Sequence, residues 1–452
     1  MTQNSQDQMQ KAPHKVPEEA APLERGGLSV PALWLFAVLT GVTSAGTALG
    51  AAALAGRCPL PGLAVDGISF VILAVTVFFL FRICRTSMRW LPTLVIIIAL
   101  PLCWIAGSTV PGMTAVSLTA CIGLAAMLLA VSPKTVMYCL PLIPLCAYVV
   151  SLLLCRDPLA ALICLVPFPT AAALAFGTRA AAKSTDGPER VGVICLCSLA
   201  LALTVILAAA IGLGLTLDGG LSVSSLKALL EEIRAEAAAA LVDMSEELAA
   251  EAQRAPAGLM SGMLGSETEP VRALTAEEAA DSVNSAINML PGVLITFFNI
   301  TSALAQCVLY GALTTCGYEN TVRGRVRLFR LSRMAGITFL AAFITAFVTA
   351  LSSQSSTLAG TVAENIVLIL QPGLALCGFM RLTVNLVTRS RGNPGCLPFI
   401  VLLFAPLLLT VGASFLALYE SGALLLDAVF SILPHDGDDM SPEDPDDADD
   451  PF

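Results

Sequence analysis

Charge is the scarcest ingredient of this chain. Asp, Glu, Lys and Arg make up 13% of its 452 residues, about half of the roughly 25% carried by soluble globular domains. So few charges cannot cover a water-soluble fold. The 56% hydrophobic content and mean hydropathy of +0.82 place most of the chain in a lipid bilayer. Histidine is scarcer still. His14 and His435 both sit in the terminal tails, so the apolar region can hold neither a His-bearing zinc site nor a His-based triad. Walker A, HExxH and G-x-S-x-G motifs are missing, as is any pair of Asp residues in adjacent apolar runs. We therefore expect no enzyme, no intrinsic ATPase, no metal and no cofactor. No basic block with interleaved aromatics is present, so no nucleic-acid partner is expected.

The fourteen Cys do not suggest a disulfide scaffold, because nearly all lie inside apolar runs (Cys103, Cys121, Cys146, Cys164, Cys195, Cys197, Cys307, Cys377). There a thiol behaves as a small hydrophobe. Cys58 and Cys155 fall near one predicted outer face, where a pairing is open.

The apolar runs predict eleven spans, near 30–54, 63–81, 91–108, 111–131, 136–154, 158–177, 191–217, 287–316, 334–352, 362–387 and 396–418. The expected fold is all-α: a polytopic transmembrane bundle of about eleven helices with one extracytoplasmic amphipathic insert. It divides into a cytoplasmic tail (1–27), an N-terminal bundle of about seven spans (28–217), an acidic insert (218–286), a C-terminal bundle of about four spans (287–430) and an acidic tail (431–452). The stretch 419–434 around Glu420 and Asp427 is short for a span, and if it crosses, the tail changes sides.

The cations are lopsided. With the N-terminus inside, seventeen of the 24 Lys and Arg fall in the inner connections, among them Arg82, Arg85, Arg179, Arg190, Arg323 to Arg333 and Arg389. Outer short loops hold Arg57 and Arg156 alone. This bias predicts a multi-pass cell-membrane protein with a cytoplasmic N-terminus and, for eleven spans, an extracytoplasmic C-terminus. The formal charge of −10 is local: nine acids lie between His435 and Phe452, leaving −1 for the remainder.

The outer segment 218–286 holds thirteen acids and four bases. Within it Leu226, Leu229, Leu230, Ile233, Ala237, Leu241, Met244 and Leu248 fall on one helical face. About seven turns are predicted, capped by Ser224 or Ser225, packing over the outer mouth of the bundle or pairing with a partner. Thr275-Ala-Glu-Glu278 has the form of a capping box, so a helix should start there, run into the span at Ile287 and kink at Pro291.

Ionisable and amide side chains inside apolar spans are the candidates for function. Asn299, Ser302, Gln306 and Tyr310 recur at offsets 0, 3, 7 and 11, one polar stripe along the eighth span. It must meet another helix or a polar cavity; interhelical hydrogen bonding and solute lining both fit. Glu364, Asn365 and Gln371 mark the tenth span, with Arg381 and Asn385 toward its inner end, where Arg381 is an anchor or a ligand. Asp66 is read as interfacial. Ala37, Gly41 and Ala45 make a small-residue face suited to a helix contact. Pro141 with Pro144, and Pro167 with Pro169, either kink two spans or open carbonyls toward a cavity.

Three features of the C-terminal third carry a family resemblance. They are the kinked span from Met289-Leu-Pro-Gly292 with its basic stretch to Arg333, the run Glu364-Asn-Ile-Val-Leu-Ile-Leu-Gln-Pro-Gly-Leu-Ala-Leu-Cys-Gly-Phe-Met-Arg381, and the end near Leu418 to Val429 with Asp427. Together they resemble the YybS-like bacterial membrane proteins, a family of unknown function. The likeness covers roughly residues 285 to 430, more loosely the N-terminal spans; the acidic insert and Asp-rich tail depart from it. That family is similar to the substrate-binding subunits of energy-coupling-factor vitamin transporters. The resemblance implies that Ala37, Gly41 and Ala45 dock on a membrane coupling partner, with energy from a partner ATPase or an ion gradient. Two functions are therefore expected: binding or transport of a small molecule, with the Asn299 stripe opposite Glu364 and Gln371, or a scaffold for envelope or sporulation assembly.

Overall fold

A computed structural model of the protein describes residues 30–54, 74, 78, 110–131, 141–156, 158–183, 190–216, 222–254, 273–316, 331–352, 358–389 and 405–432. In chain order its helices are α1 (Val30–Leu54), α2 (Val110–Val131), α3 (Leu142–Cys155), α4 (Pro158–Leu162), a 3₁₀ turn (Ile163–Leu165), α5 (Pro167–Lys183), α6 (Arg190–Thr216), α7 (Val223–Arg254), α8 (Ala276–Thr315), α9 (Arg333–Leu351), α10 (Leu358–Arg389), α11 (Ala405–Thr410) and α12 (Ala413–Ile432). No strand occurs among the described residues.

Seven stretches are long and apolar enough to cross a membrane: Pro31–Ala53, Thr114–Val131, Ile163–Ala180, Val193–Leu215, Ala276–Thr315, Arg333–Leu351 and Leu358–Phe379. The predicted spans 63–81 and 91–108 lie outside the described residues, apart from Ala74 and Phe78. So do Asp66, Cys58 and most of the acidic tail. Two predicted boundaries are corrected. In the fifth span the helix is Leu142–Cys155, 14 residues, about 21 Å at 1.5 Å per residue and short of the roughly 20 residues a bilayer needs. In the last, the helix does not end at 418: it starts afresh at Ala413, after a break at Val411 and Gly412, and runs 20 residues to Ile432. The prolines are also resolved. Pro141 precedes α3, Pro144 sits in its first turn, and Pro167 and Pro169 open α5. At a helix start the missing N–H costs nothing; before Pro167 the chain passes through the 3₁₀ turn Ile163–Leu165, inside the apolar stretch Ile163–Ala180.

The N-terminal bundle is held by close approach of small residues. A Cβ on Gly50 would collide with Thr114, one on Gly123 would lie 2.7 Å from Val308, and one on Gly177 would touch Val193. Gly50 meets Thr114 while, further along, the Cys121 thiol reaches the Thr40 carbonyl at 3.7 Å, so α1 and α2 run antiparallel. Arg179 donates twice to the Ala130 carbonyl, at 2.9 and 3.1 Å, serving the C-terminal end of α2 where bare carbonyls gather. Outward, α6 exposes Leu199, Leu203, Ile206 and Leu207, an apolar stripe that hydrocarbon satisfies and water does not.

α8 has 40 residues, about 60 Å against a hydrocarbon thickness of about 30 Å. Its first turns therefore project beyond the apolar layer, and there they form a hairpin with α7. Thr275 Oγ1 accepts the Glu278 N–H and Glu278 Oε2 accepts the Thr275 N–H, the capping box expected. The Leu274 N–H donates to Ser245 Oγ at 3.0 Å, and Ala249 and Ala279 are buried. The start of α7 differs: Ser222, not Ser224 or Ser225, accepts the capping N–H, from Ser225. Its main packing partner is α8 rather than a bundle mouth, and Leu226, Leu230, Ile233, Met244 and Leu248 of the predicted apolar face are exposed.

Candidate functional site

Two prolines decide the geometry between α8 and α10. Pro291 and Pro372 sit inside these helices, each followed by glycine. A proline inside a helix has no N–H to give the carbonyl four residues back, and the neighbouring ladder opens. Beside Pro291 the affected partners are the Asn288 carbonyl and the Gly292 N–H. Asn365 of α10 serves both: its Oδ1 accepts the Gly292 N–H at 2.6 Å and its Nδ2 donates to the Asn288 carbonyl at 3.0 Å. The same Nδ2 donates to Thr361 O at 2.8 Å. Gly292 is required, since any Cβ there would overlap the Asn365 amide.

The exchange runs the other way at the second proline. Pro372 leaves the Leu368 carbonyl without its helical donor, and Thr296 Oγ1 of α8 donates to it at 2.9 Å. Each helix thus mends the break in the other. The pairs Gly292–Asn365 and Thr296–Leu368 advance together, so α8 and α10 run parallel here. That register carries Asn299, half-buried and on the face of Gly292 and Thr296, to the level of Gln371. Glu364, half-buried, precedes the bridging amide.

The rest of the predicted stripe goes elsewhere. Ser302, Gln306 and Tyr310 are buried in the N-terminal core, with the Cys197 thiol of α6 beside Ser302 and Val308 against Gly123 of α2. Gln306 Nε2 donates to Tyr310 OH at 3.4 Å. The drift of the offsets moves the stripe from α10 toward α2 and α6 as the helix turns. The small-residue face of α1 also divides: Ala45 is buried, Ala37 half-buried, and Gly41 has open space where a side chain would point.

A second polar seam joins α10 to α12. Gln371 Nε2 donates to Ser414 Oγ at 3.1 Å, and Asn385 Nδ2 to Tyr419 OH at 3.1 Å. Between them Gly378 packs on the Leu416 carbonyl so tightly that no side chain fits. Arg381 Nε lies 2.9 Å from Glu420 Oε2, its Nη2 donates to Glu420 Oε1 at 3.3 Å, and the same Nη2 is 3.7 Å from Asp427. Glu420 is 6% exposed. Arg381 is thus an ion-pair partner and not a free headgroup anchor. The sequence offered a signal that was missed: Glu420, in an apolar stretch, needed a cation, and the nearest apolar-run cation is Arg381.

No protein-family model, curated protein or solved structure matches this chain. The fold and site define a helical protein with seven stretches apolar enough to cross a membrane and two polar seams between its helices.

Proposed function

We propose that the protein binds a small polar solute and carries it across the cell membrane, without an ATPase of its own. The observation that supports this is the reciprocal mending of the Pro291 and Pro372 breaks. Proline-interrupted helices that meet at membrane depth form solute sites in transporters, because irregular backbone is tolerated there only where protein or a polar cavity satisfies it. Asn299 and Gln371 come to one level along the paired helices, and Glu364 stands beside the bridging Asn365 amide. The N-terminus is taken as cytoplasmic from the cation bias. Of the small-residue face Ala37, Gly41 and Ala45, the open space at Gly41 is where a coupling partner would dock.

A thermal-shift panel of cationic, anionic and neutral polar metabolites on protein in lipid nanodiscs tests this reading. One chemical class should raise the melting temperature, and Asn299→Leu and Glu364→Gln should abolish the shift. A panel with no shift overturns it. A second reading, a membrane scaffold, is favoured by the uncovered apolar stripe of α7 among Glu231, Glu232, Glu246 and Glu247. It predicts that removing residues 219–285 abolishes partner binding without affecting any solute.

A further inference from the structure

Asp427 is a second carboxylate within reach of a guanidinium that Glu420 already holds. Seven residues separate the two acids, which places both on one face of α12. Their surroundings differ: the Glu420 side chain is enclosed, whereas that of Asp427 is 56% exposed near the end of the helix. We propose that Arg381, Glu420 and Asp427 form a proton-binding site, in which Arg381 moves from Glu420 to Asp427 while Glu420 takes up a proton from water. This rests on the transport reading and deepens it by naming the coupling ion.

The step follows from the cost of burial. A carboxylate that loses its cation in a low-dielectric site does not stay charged; it takes a proton. Hydronium supplies the proton to a Glu420 oxygen and leaves as water, the guanidinium keeps its charge throughout, and no electron changes hands. The close packing of Gly378 on the Leu416 carbonyl and beside the Glu420 Cβ encloses one end of the site, and Asp427 lies at its exposed end. Among the described residues the groups facing Glu420 from its neighbours are few. α10 brings Arg381, the Cys377 thiol and the Asn385 amide; α12 itself brings Tyr419 and Asp427. α9, packed through Gly336 on Ser421 and Leu424, opens with the exposed Arg333, which has contacts of its own. α11 carries no titratable side chain.

Infrared difference spectra of the full-length protein in nanodiscs, taken on acidification without any solute, test the proposal. The wild type should gain the high-frequency carbonyl band of a carboxylic acid in apolar surroundings, distinct from the lower-frequency bands of hydrated acids. Glu420→Gln should lose that band. Asp427→Asn, where the arginine has no second carboxylate, should weaken it, and Asp243→Asn on the exposed face of α7 should leave it unchanged. A wild type without the band overturns the proposal whatever the variants do, as does a band undiminished in Glu420→Gln. Because no solute is present, a missing band leaves the transport reading standing, and a band without any solute-dependent thermal shift removes that reading while keeping the proton site.

Discussion

The two bundles differ in how many side chains they commit to bonds between helices. In the N-terminal bundle the interior is rich in hydroxyls, and several turn back on their own helix: Thr40 donates to Phe36, Thr47 to Thr43, Thr119 to Ala115 and Thr178 to Leu174, each a carbonyl four residues earlier. Ser44, which donates to the Cys164 carbonyl at 2.8 Å, crosses between helices. In the C-terminal bundle Thr345 and Thr349 also turn back on their own helix, and cross-helix bonds are added through Asn365, Thr296, Gln371, Arg381 and Asn385. The first arrangement leans on close packing of small residues, with Ser44 and Arg179 as its cross-helix donors. The second makes each helix depend on its neighbour's side chains, and a bend in one must be felt by the other.

The contrast can be broken most forcefully at the ion pair. Arg381→Leu leaves Glu420 enclosed without its cation and should cost about 3 kcal/mol, read as a fall in melting temperature in detergent. Arg381→Leu combined with Glu420→Leu should recover most of that loss, since the pair is replaced by apolar volume. Next comes Asn365→Leu, which withdraws the amide from the Asn288 carbonyl and Gly292 N–H. Roughly 1–2 kcal/mol should be lost, together with a change in the α8 bend measurable by spin-label distances spanning Pro291. Stability unchanged in Asn365→Leu would mean that the opened ladder closes on itself.

How much of this was visible in the residues alone follows from range. Local signals carried through: the Thr275 capping box and the helical character of the apolar runs are each set within a few residues. The start of α7 slipped because three serines compete for one cap and only the backbone decides among Ser222, Ser224 and Ser225. What periodicity cannot supply is the neighbour. Offsets place Asn365 and Thr296 on helix faces, but nothing in the sequence says that each answers the other's proline across 72 or 73 positions. The end of the chain was misjudged for a related reason: Glu420 and Asp427 make 413–432 look too polar to be one apolar helix, until the Arg381 side chain is seen to meet both.

The same substitution at two threonines sharpens the comparison at its smallest scale. Thr296 and Thr47 each donate one hydroxyl hydrogen bond to a carbonyl, at 2.9 and 3.0 Å. Valine keeps the shape of both and removes the hydroxyl. At Thr296 the acceptor is the Leu368 carbonyl, stripped of its helical donor by Pro372, so Thr296→Val orphans it and should cost about 0.6 kcal/mol, the typical worth of an interhelical bond in a membrane. At Thr47 the acceptor is the Thr43 carbonyl, which regular helix geometry already pairs with the Thr47 N–H. Thr47→Val therefore orphans nothing and should stay within about 0.5 kcal/mol of zero. Paired melting curves decide: a deficit confined to Thr296→Val supports cross-helix dependence as a property of the C-terminal bundle, whereas equal deficits would mean that the two bundles differ in hydrogen-bond direction but not in what those bonds hold together.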